Sequence, residues 1–194
     1  DLLKGQTKNF ITMQFFSGMR AGEGIGLLWS DIDFEKNQIS INRAIRHGVV
    51  SSTKTDGSKR KITMLPEVKK ALKEQYKLTA NKNNYVFLTK FEQHYNSAQS
   101  INRNSWKNIL KKLSIKYRPI KQTRHTFASQ MISNGEDVLW VSQMLGHSNA
   151  NITLKVYAMY IPNNDEKRAS FLNKIKEKNC TKTAQIKFKL LKSS

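Results

Sequence analysis

The sequence predicts a mainly α-helical domain with one small antiparallel β-sheet, an α+β arrangement. Two patterns support this. From Pro66 onward, apolar residues recur mostly at helical spacing. Before it, Ile39 and Ile41 alternate with polar neighbours, and so do Lys61-Ile62-Thr63-Met64, with a turn signal at Thr55-Asp56-Gly57-Ser58 between them.

The elements follow in order. Phe10, Met13 and Ser17 share one face of a first helix, with Ile11 and Phe15 beside it, and Ser17-Gly18 supplies a stop. Ala21 to Trp29 is a short segment whose three glycines disfavour helix but permit close packing. A strand at Ile39–Ile41, extended by Ala44-Ile45, pairs with the one at Lys61–Met64. Pro66 suits a first helical turn, and Val68, Leu72 and Tyr76 repeat at four-residue spacing. Tyr85-Val86-Phe87-Leu88 reads as a short strand. Helices are expected over about 100–116, over about 124–133 ended by Gly135, and around Val138, Val141 and Leu145 closed by Gly146. Ile152 and Val156 mark a short helix before Tyr157, and Asn163 or Asn164 caps a last one bearing Ala169, Leu172 and Ile175. The tryptophans Trp29, Trp106 and Trp140 are assigned to the core.

Composition narrows the class. With 194 residues, 38% of them hydrophobic, the chain can bury a core. Lys and Arg number 34 against 14 acidic residues, a net charge of +20 that points to a polyanionic partner, nucleic acid first. The single Cys180 excludes an internal disulfide and a thiolate metal cluster, and the four histidines lack metal-ligand spacing, so no metal site is expected. No apolar run is long enough to span a membrane. The start at Asp1, with neither methionine nor signal peptide, reads as a piece of a longer protein, and the expected compartment is the reducing cytoplasm, at the nucleoid.

Arg20, Arg124, His147 and Tyr157 form the chemical signal. Guanidinium groups match phosphate oxygens two at a time, and a tyrosine hydroxyl relieved of its proton is a nucleophile toward phosphorus. Taken singly each has a plainer reading: a surface cation for Arg20, a helix start for Arg124 and His125, a helix end for His147, a core ring for Tyr157. Tyr160, on the same helical face, is the alternative nucleophile.

These residues sit in stretches that together resemble the catalytic domain of the tyrosine recombinases, the phage and transposon integrases in particular. Gly18-Met19-Arg20-Ala21-Gly22-Glu23, followed by Leu28-Trp29-Ser30-Asp31-Ile32-Asp33, resembles the box of the first arginine. Thr53-Lys54-Thr55, followed by Arg60-Lys61-Ile62, resembles the hairpin of the catalytic lysine. Arg124-His125-Thr126-Phe127-Ala128-Ser129 resembles the second arginine box, and Leu145-Gly146-His147-Ser148 with Thr153-Leu154-Lys155-Val156-Tyr157 the last two boxes. Five boxes in family order, over about residues 5–175, make the likeness specific.

The resemblance implies the DNA breaking–rejoining fold over residues 1–178. After Lys178 the composition shifts to a basic tail, 179–194, read as an appendage or an extra strand; the resemblance implies that it docks on a neighbouring protomer, and implies a preceding core-binding domain that this chain lacks. Its implied chemistry needs no cofactor. Arg20 and Arg124 clamp the non-bridging oxygens, where losing one such donor costs about 3–4 kcal/mol. His147 donates a further hydrogen bond, Lys54 protonates the departing 5′ oxygen, and Tyr157 forms a 3′-phosphotyrosyl bond. Glu23 and His125 support the set. Lys121 stands where the family usually has histidine. It can donate to phosphate but is no neutral imidazole base, which leaves open what assists deprotonation of the tyrosine.

Lys59, Arg60, Lys61, Lys107 and Lys111 are expected on the DNA backbone, setting affinity and not sequence choice. Further implied partners are double-stranded attachment sites, a homo-tetramer on DNA (for the isolated domain the sequence leaves monomer and oligomer both open) with Phe171, Leu172 and Ile175 at the swapped segment, and accessory excision or DNA-bending proteins. The alternatives are type IB topoisomerase-like relaxation and a non-catalytic DNA-binding relative.

Overall fold

A computed structural model of the chain describes residues 3–52 and 59–163. The chain divides into two compact units, Asp1–Ile161 and Pro162–Ser194, and every element below belongs to the first. Lys54, Phe171, Leu172, Ile175, the expected last helix beyond 163 and the 178/179 boundary lie outside the described residues.

Helix α1, Gly5–Ser17, buries Phe10, Ile11 and Met13 and ends where Gly18 turns left-handed at φ +66°. The glycine-rich segment is in part helical after all: α2 spans Ala21–Ile25, and a 3₁₀ turn covers Trp29–Asp31. Strands β1 (Ile32–Asp33), β2 (Gln38–Ile41), β3 (Arg43–Arg46), β4 (Val49–Ser52) and β5 (Arg60–Thr63) follow. The first sheet has the order β1-β2-β5, all antiparallel, and sets Ile39 opposite both Ile32 and Ile62. The expected pairing of the two alternating segments is therefore present. The segment expected as an extension is a separate strand, β3, which forms a hairpin with β4 around His47-Gly48. Buried Asp31 accepts from the Leu28 amide, Asn42 and Arg43, tying the 3₁₀ turn to the strands.

Helix α3, Pro66–Thr79, packs on α1. Its inward face carries Val68, Ala71, Leu72, Gln75 and Thr79, whereas Tyr76 is exposed and sits edge-on to Trp29. Gln75 is tolerated in the core because its amide is fully used, accepting from Asn9 and donating to Gln6, Thr79 and the Val86 carbonyl.

Residues 85–88, of which Val86, Phe87 and Leu88 are buried and Tyr85 half-buried, form no strand; only isolated bridges, Leu28 with Tyr85 and Leu88 with His94, occur there. The Val86 amide bonds the Leu27 carbonyl and the Leu88 amide bonds the Gln6 side chain, so the backbone is satisfied without a ladder. The helix expected over 100–116 is broken into α4 (Gln99–Ile101), a π-turn (Asn102–Trp106) and α5 (Lys107–Lys112), leaving Leu113 exposed. Trp106 is buried, and Trp29 and Trp140 pack against the core.

Three helices complete the unit: α6 (Gln122–Ser133), α7 (Val138–Leu145) and α8 (Ala150–Tyr157). On α8 the buried face is Thr153 and Tyr157, while Ile152 and Val156, the residues that suggested the helix, are exposed. Among the described residues no helix is long and apolar enough to cross a membrane, and no cluster of His, Cys, Asp and Glu could hold a metal.

Gly18 is where α1, α6 and α7 converge. A Cβ there would lie 2.6 Å from Phe127 and 3.2 Å from Leu145. Gly18→Ala should therefore add left-handed strain to overpacking and lower stability by roughly 2–4 kcal/mol in urea unfolding. A loss under about 0.5 kcal/mol, as at an ordinary surface site, would refute this placement.

Candidate active site

Three distant segments meet around one carboxylate. Arg20 precedes α2, and Glu23 lies one turn into that helix with its side chain 4% exposed. The Glu23 carboxylate accepts the Arg20 amide at 2.8 Å and Arg20 Nη1 at 3.0 Å. It also accepts both terminal nitrogens of Arg60, at 3.0 and 2.8 Å, in a bidentate pair. One carboxylate thus holds both guanidinium groups. Burial alone would raise its pKa, but the hydrogen bonds and charge of Arg60, with Arg20 behind, more than offset that and hold it below the ordinary carboxylate range.

Arg60 differs from the sequence expectation of a DNA-backbone contact. Its side chain is only 10% exposed, and both terminal nitrogens are committed to Glu23. Its Nε donates to the Met144 carbonyl at 3.3 Å, at the end of α7. Gly146, left-handed at φ +65°, lets that guanidinium pass; a Cβ would lie 2.7 Å from it. Arg60 shares the inward side of β5 with buried Ile62, while its neighbours Lys59 and Lys61 are exposed. The period-two alternation through Ile62 was the signal available for this placement.

Arg124 stands in the first turn of α6. Its Nη1 donates to the Gly18 carbonyl at 2.9 Å and the Leu145 carbonyl at 2.5 Å, the residues just ahead of the Arg20 and His147 segments. Burial, then the neighbouring charge of Arg20, brings its pKa down to about 10, with Glu23 opposing; it stays a cation at neutral pH.

His147 follows a Schellman stop, in which its amide bonds the Ser142 carbonyl and the Gly146 amide the Gln143 carbonyl. Its Nδ1 lies 2.8 Å from Oγ1 of Thr153, which is buried on α8. When that hydroxyl donates to Nδ1, Nε2 carries the proton and is the free donor. Burial, then Arg124, Arg20, Arg60 and His125, push the pKa of His147 down to about 4, so the ring is neutral near pH 7. Thr153 was not singled out in the sequence; only its helical spacing from Tyr157 marked it.

Tyr157 is buried on α8, and its Oη lies 2.7 Å from His125 Nδ1 on α6. Burial raises the phenol pKa, with Arg124 pulling it down and Tyr160 adding to the rise. Tyr160 is exposed, its ring 6.5 Å from that of Tyr157. Lys121 is exposed and, together with Arg20, Gly22, Arg46, His47 and Gly146, lines an open cleft of about 740 Å³. Arg46 and His47 belong to the β3–β4 hairpin that was not foreseen. Lys107 and Lys111 are exposed on α5, where Lys111 lines a separate groove with Lys4 and Lys112. Arg20, Glu23, Arg60 and Arg124 thus form one charged cluster beside the neutral His147, with the Tyr157–His125 pair close enough for Arg124 to act on the phenol.

The phage integrase family profile matches residues 2–164. The chain is 28% identical to prophage integrase IntR of Escherichia coli, over 88% of this chain and 47% of that protein. It is also 28% identical to a XerC-like tyrosine recombinase of Caldanaerobacter subterraneus, over 89% and 51%. The chain thus spans about half the length of the curated relatives it matches. Among solved structures, the Tn1549 transposon integrase in complex with circular intermediate DNA superposes with a TM-score of 0.71 at 24% identity, over 85% of this chain and 58% of that one. XerA recombinase gives 0.63 at 25% identity, over 88% and 64%.

The Glu23–Arg60 pair generates a stability prediction. Arg60→Met strands a buried carboxylate and should cost roughly 3–5 kcal/mol in urea unfolding. Because folding lowers the pKa of Glu23, its contribution is complete above the ordinary carboxylate range, about 4–4.5, and disappears as pH falls through its own lower value. Stability measured against falling pH should lose that limb in Glu23→Gln; an unchanged acid limb would argue against the pairing.

Proposed function

Because the chain belongs to the phage integrase family, we propose that its arginine cluster and Tyr157 cleave and rejoin DNA strands during site-specific recombination of a phage or mobile element. The observation that carries this reading is the convergence of Arg20, Arg124 and His147 beside a buried tyrosine hydroxyl. The family supplies the reaction type, and the geometry supplies a physical reason for each group.

In this reading a phosphodiester enters beside Arg20 and Arg124. Arg20 keeps guanidinium donors beyond the one bonded to Glu23, and its side chain is 43% exposed. Arg124 is held rigidly by two carbonyls through a single nitrogen, so the rest of its fork stays aimed without reorganising. Neutral His147 donates from Nε2 while Thr153 holds Nδ1. Tyr157 Oη attacks phosphorus, the P–O5′ bond breaks, and a 3′-phosphotyrosyl link forms. Lys54 is the proposed acid for the departing 5′ oxygen, and Lys121 a cation of the cleft in place of the usual histidine. Reversal by a 5′ hydroxyl from a second duplex exchanges strands.

The net charge of +20 suits non-specific attraction to the duplex, with exposed Lys59, Lys61, Lys107 and Lys111 as backbone contacts. Attachment-site duplexes, assembly as a tetramer on DNA, accessory factors and a place at the nucleoid belong to the same proposal. The relatives are integrases and recombinases, which supports strand exchange over topoisomerase-like relaxation.

A pool of fluorescent nicked duplexes with randomised flanks tests this reading, because loss of the short cleaved strand traps the intermediate. The chain should yield a covalent protein–DNA band that survives denaturing electrophoresis, and Tyr157→Phe should abolish it. No band from the unsubstituted chain at any concentration, or an undiminished band from Tyr157→Phe, would refute it.

A further inference from the structure

His125 is the group that contacts the attacking oxygen. Its Nδ1 lies 2.7 Å from Tyr157 Oη, within the range required of a general base. Among the described residues this is the hydrogen bond that the tyrosine hydroxyl makes. From this contact, and resting on the functional reading above, we infer that His125 is a catalytic residue. It takes the phenolic proton as the phosphotyrosyl bond forms and returns it when that bond is broken.

The neighbouring groups are less suited to the task. Lys121, four residues earlier, is an ammonium with three donors and no acceptor, and it lines the cleft with Arg20. His147 has its Nδ1 engaged by Thr153, and its burial, followed by the charges of Arg124, Arg20 and Arg60, depresses its basicity. Tyr160 presents only a second phenol, and its ring is 6.5 Å from that of Tyr157. His125 is exposed, so it can pass a proton on to solvent, whereas Tyr157 is buried. Position also favours it. His125 directly follows Arg124, so the residue that stabilises a developing phenolate and the one that accepts its proton stand side by side on α6.

The step balances. Tyr157 Oη–H donates to Nδ1 of the neutral imidazole protonated at Nε2, the Oη–P bond forms, and the P–O5′ bond breaks. The phenolic proton ends on His125, and the 5′ oxygen receives a different proton from a separate acid, an ammonium or water. In the reverse step the imidazolium reprotonates the departing tyrosine.

The test uses the whole chain and a nicked duplex recovered from the randomised pool. His125→Gln and His125→Gly should slow covalent-adduct formation by about 10²–10⁴-fold, the usual contribution of general-base catalysis. Added imidazoles should rescue His125→Gly, faster for more basic ones, because the exposed position admits them. A 5′-bridging phosphorothiolate duplex, whose sulfur leaves without protonation, should rescue neither variant. Adduct formation by both variants at the unsubstituted rate would overturn the proposal and reduce the contact to a resting one. So would slowing that ignores the basicity of the added imidazole, or that the phosphorothiolate duplex cures. Absence of adduct from the unsubstituted chain would overturn the functional reading itself and this proposal with it.

Discussion

The buried carboxylate of Glu23 is the constraint on which the site depends. Arg20, Arg60 and Arg124 each feel the charge of one another or of this acid. Three guanidinium groups brought together in a partly dry site repel strongly, since Coulomb energies grow as water is excluded. Glu23 offsets one charge, fixes Arg60 through two hydrogen bonds and Arg20 through two more. The remainder is a net excess of two positive charges. That suits a phosphodiester monoanion, and suits still better a pentacovalent transition state with additional negative charge.

The same bonds hold together parts of the chain that are far apart in sequence. Arg60 joins the end of strand β5 to α2 through Glu23 and to α7 through the Met144 carbonyl. Arg124 joins α6 to the Gly18 and Leu145 carbonyls. Gly18 and Gly146 permit these approaches because each is left-handed and each lies against a side chain from another element. The helices therefore converge at the glycine stops that precede Arg20 and His147. Stability and site geometry are set by the same few contacts, so damage to either should appear in both.

Much of this was legible in the residues. Gly18, Pro66, Gly135 and Gly146 punctuate helices as their backbone preferences require, and the Ile39 and Ile62 alternation pairs as expected. What escaped has physical reasons. The β3–β4 hairpin turns at His47-Gly48, with His47 itself left-handed, and so lacks the Asn-Gly or Asp-Gly signal. On α8 the apolar pattern chose Ile152 and Val156, but the inward face carries Thr153 and Tyr157. Arg60 sat in a basic run, and charge alone does not reveal which residue turns inward. His125 was visible beside Arg124, yet only the packing of α6 against α8 brings its ring to Tyr157. Lys54 lies outside the described residues, so its role stands on family resemblance.

Peptide mapping of the trapped protein–DNA complex tests the central claim most directly. Nuclease treatment followed by proteolysis and tandem mass spectrometry locates the tyrosine that carries the residual nucleotide and shows which end of the strand is joined. The account predicts a 3′-phosphate ester on Tyr157 and a free 5′ hydroxyl on the released strand. A nucleotide on Tyr160 or any other residue, or a 5′ linkage, would contradict it.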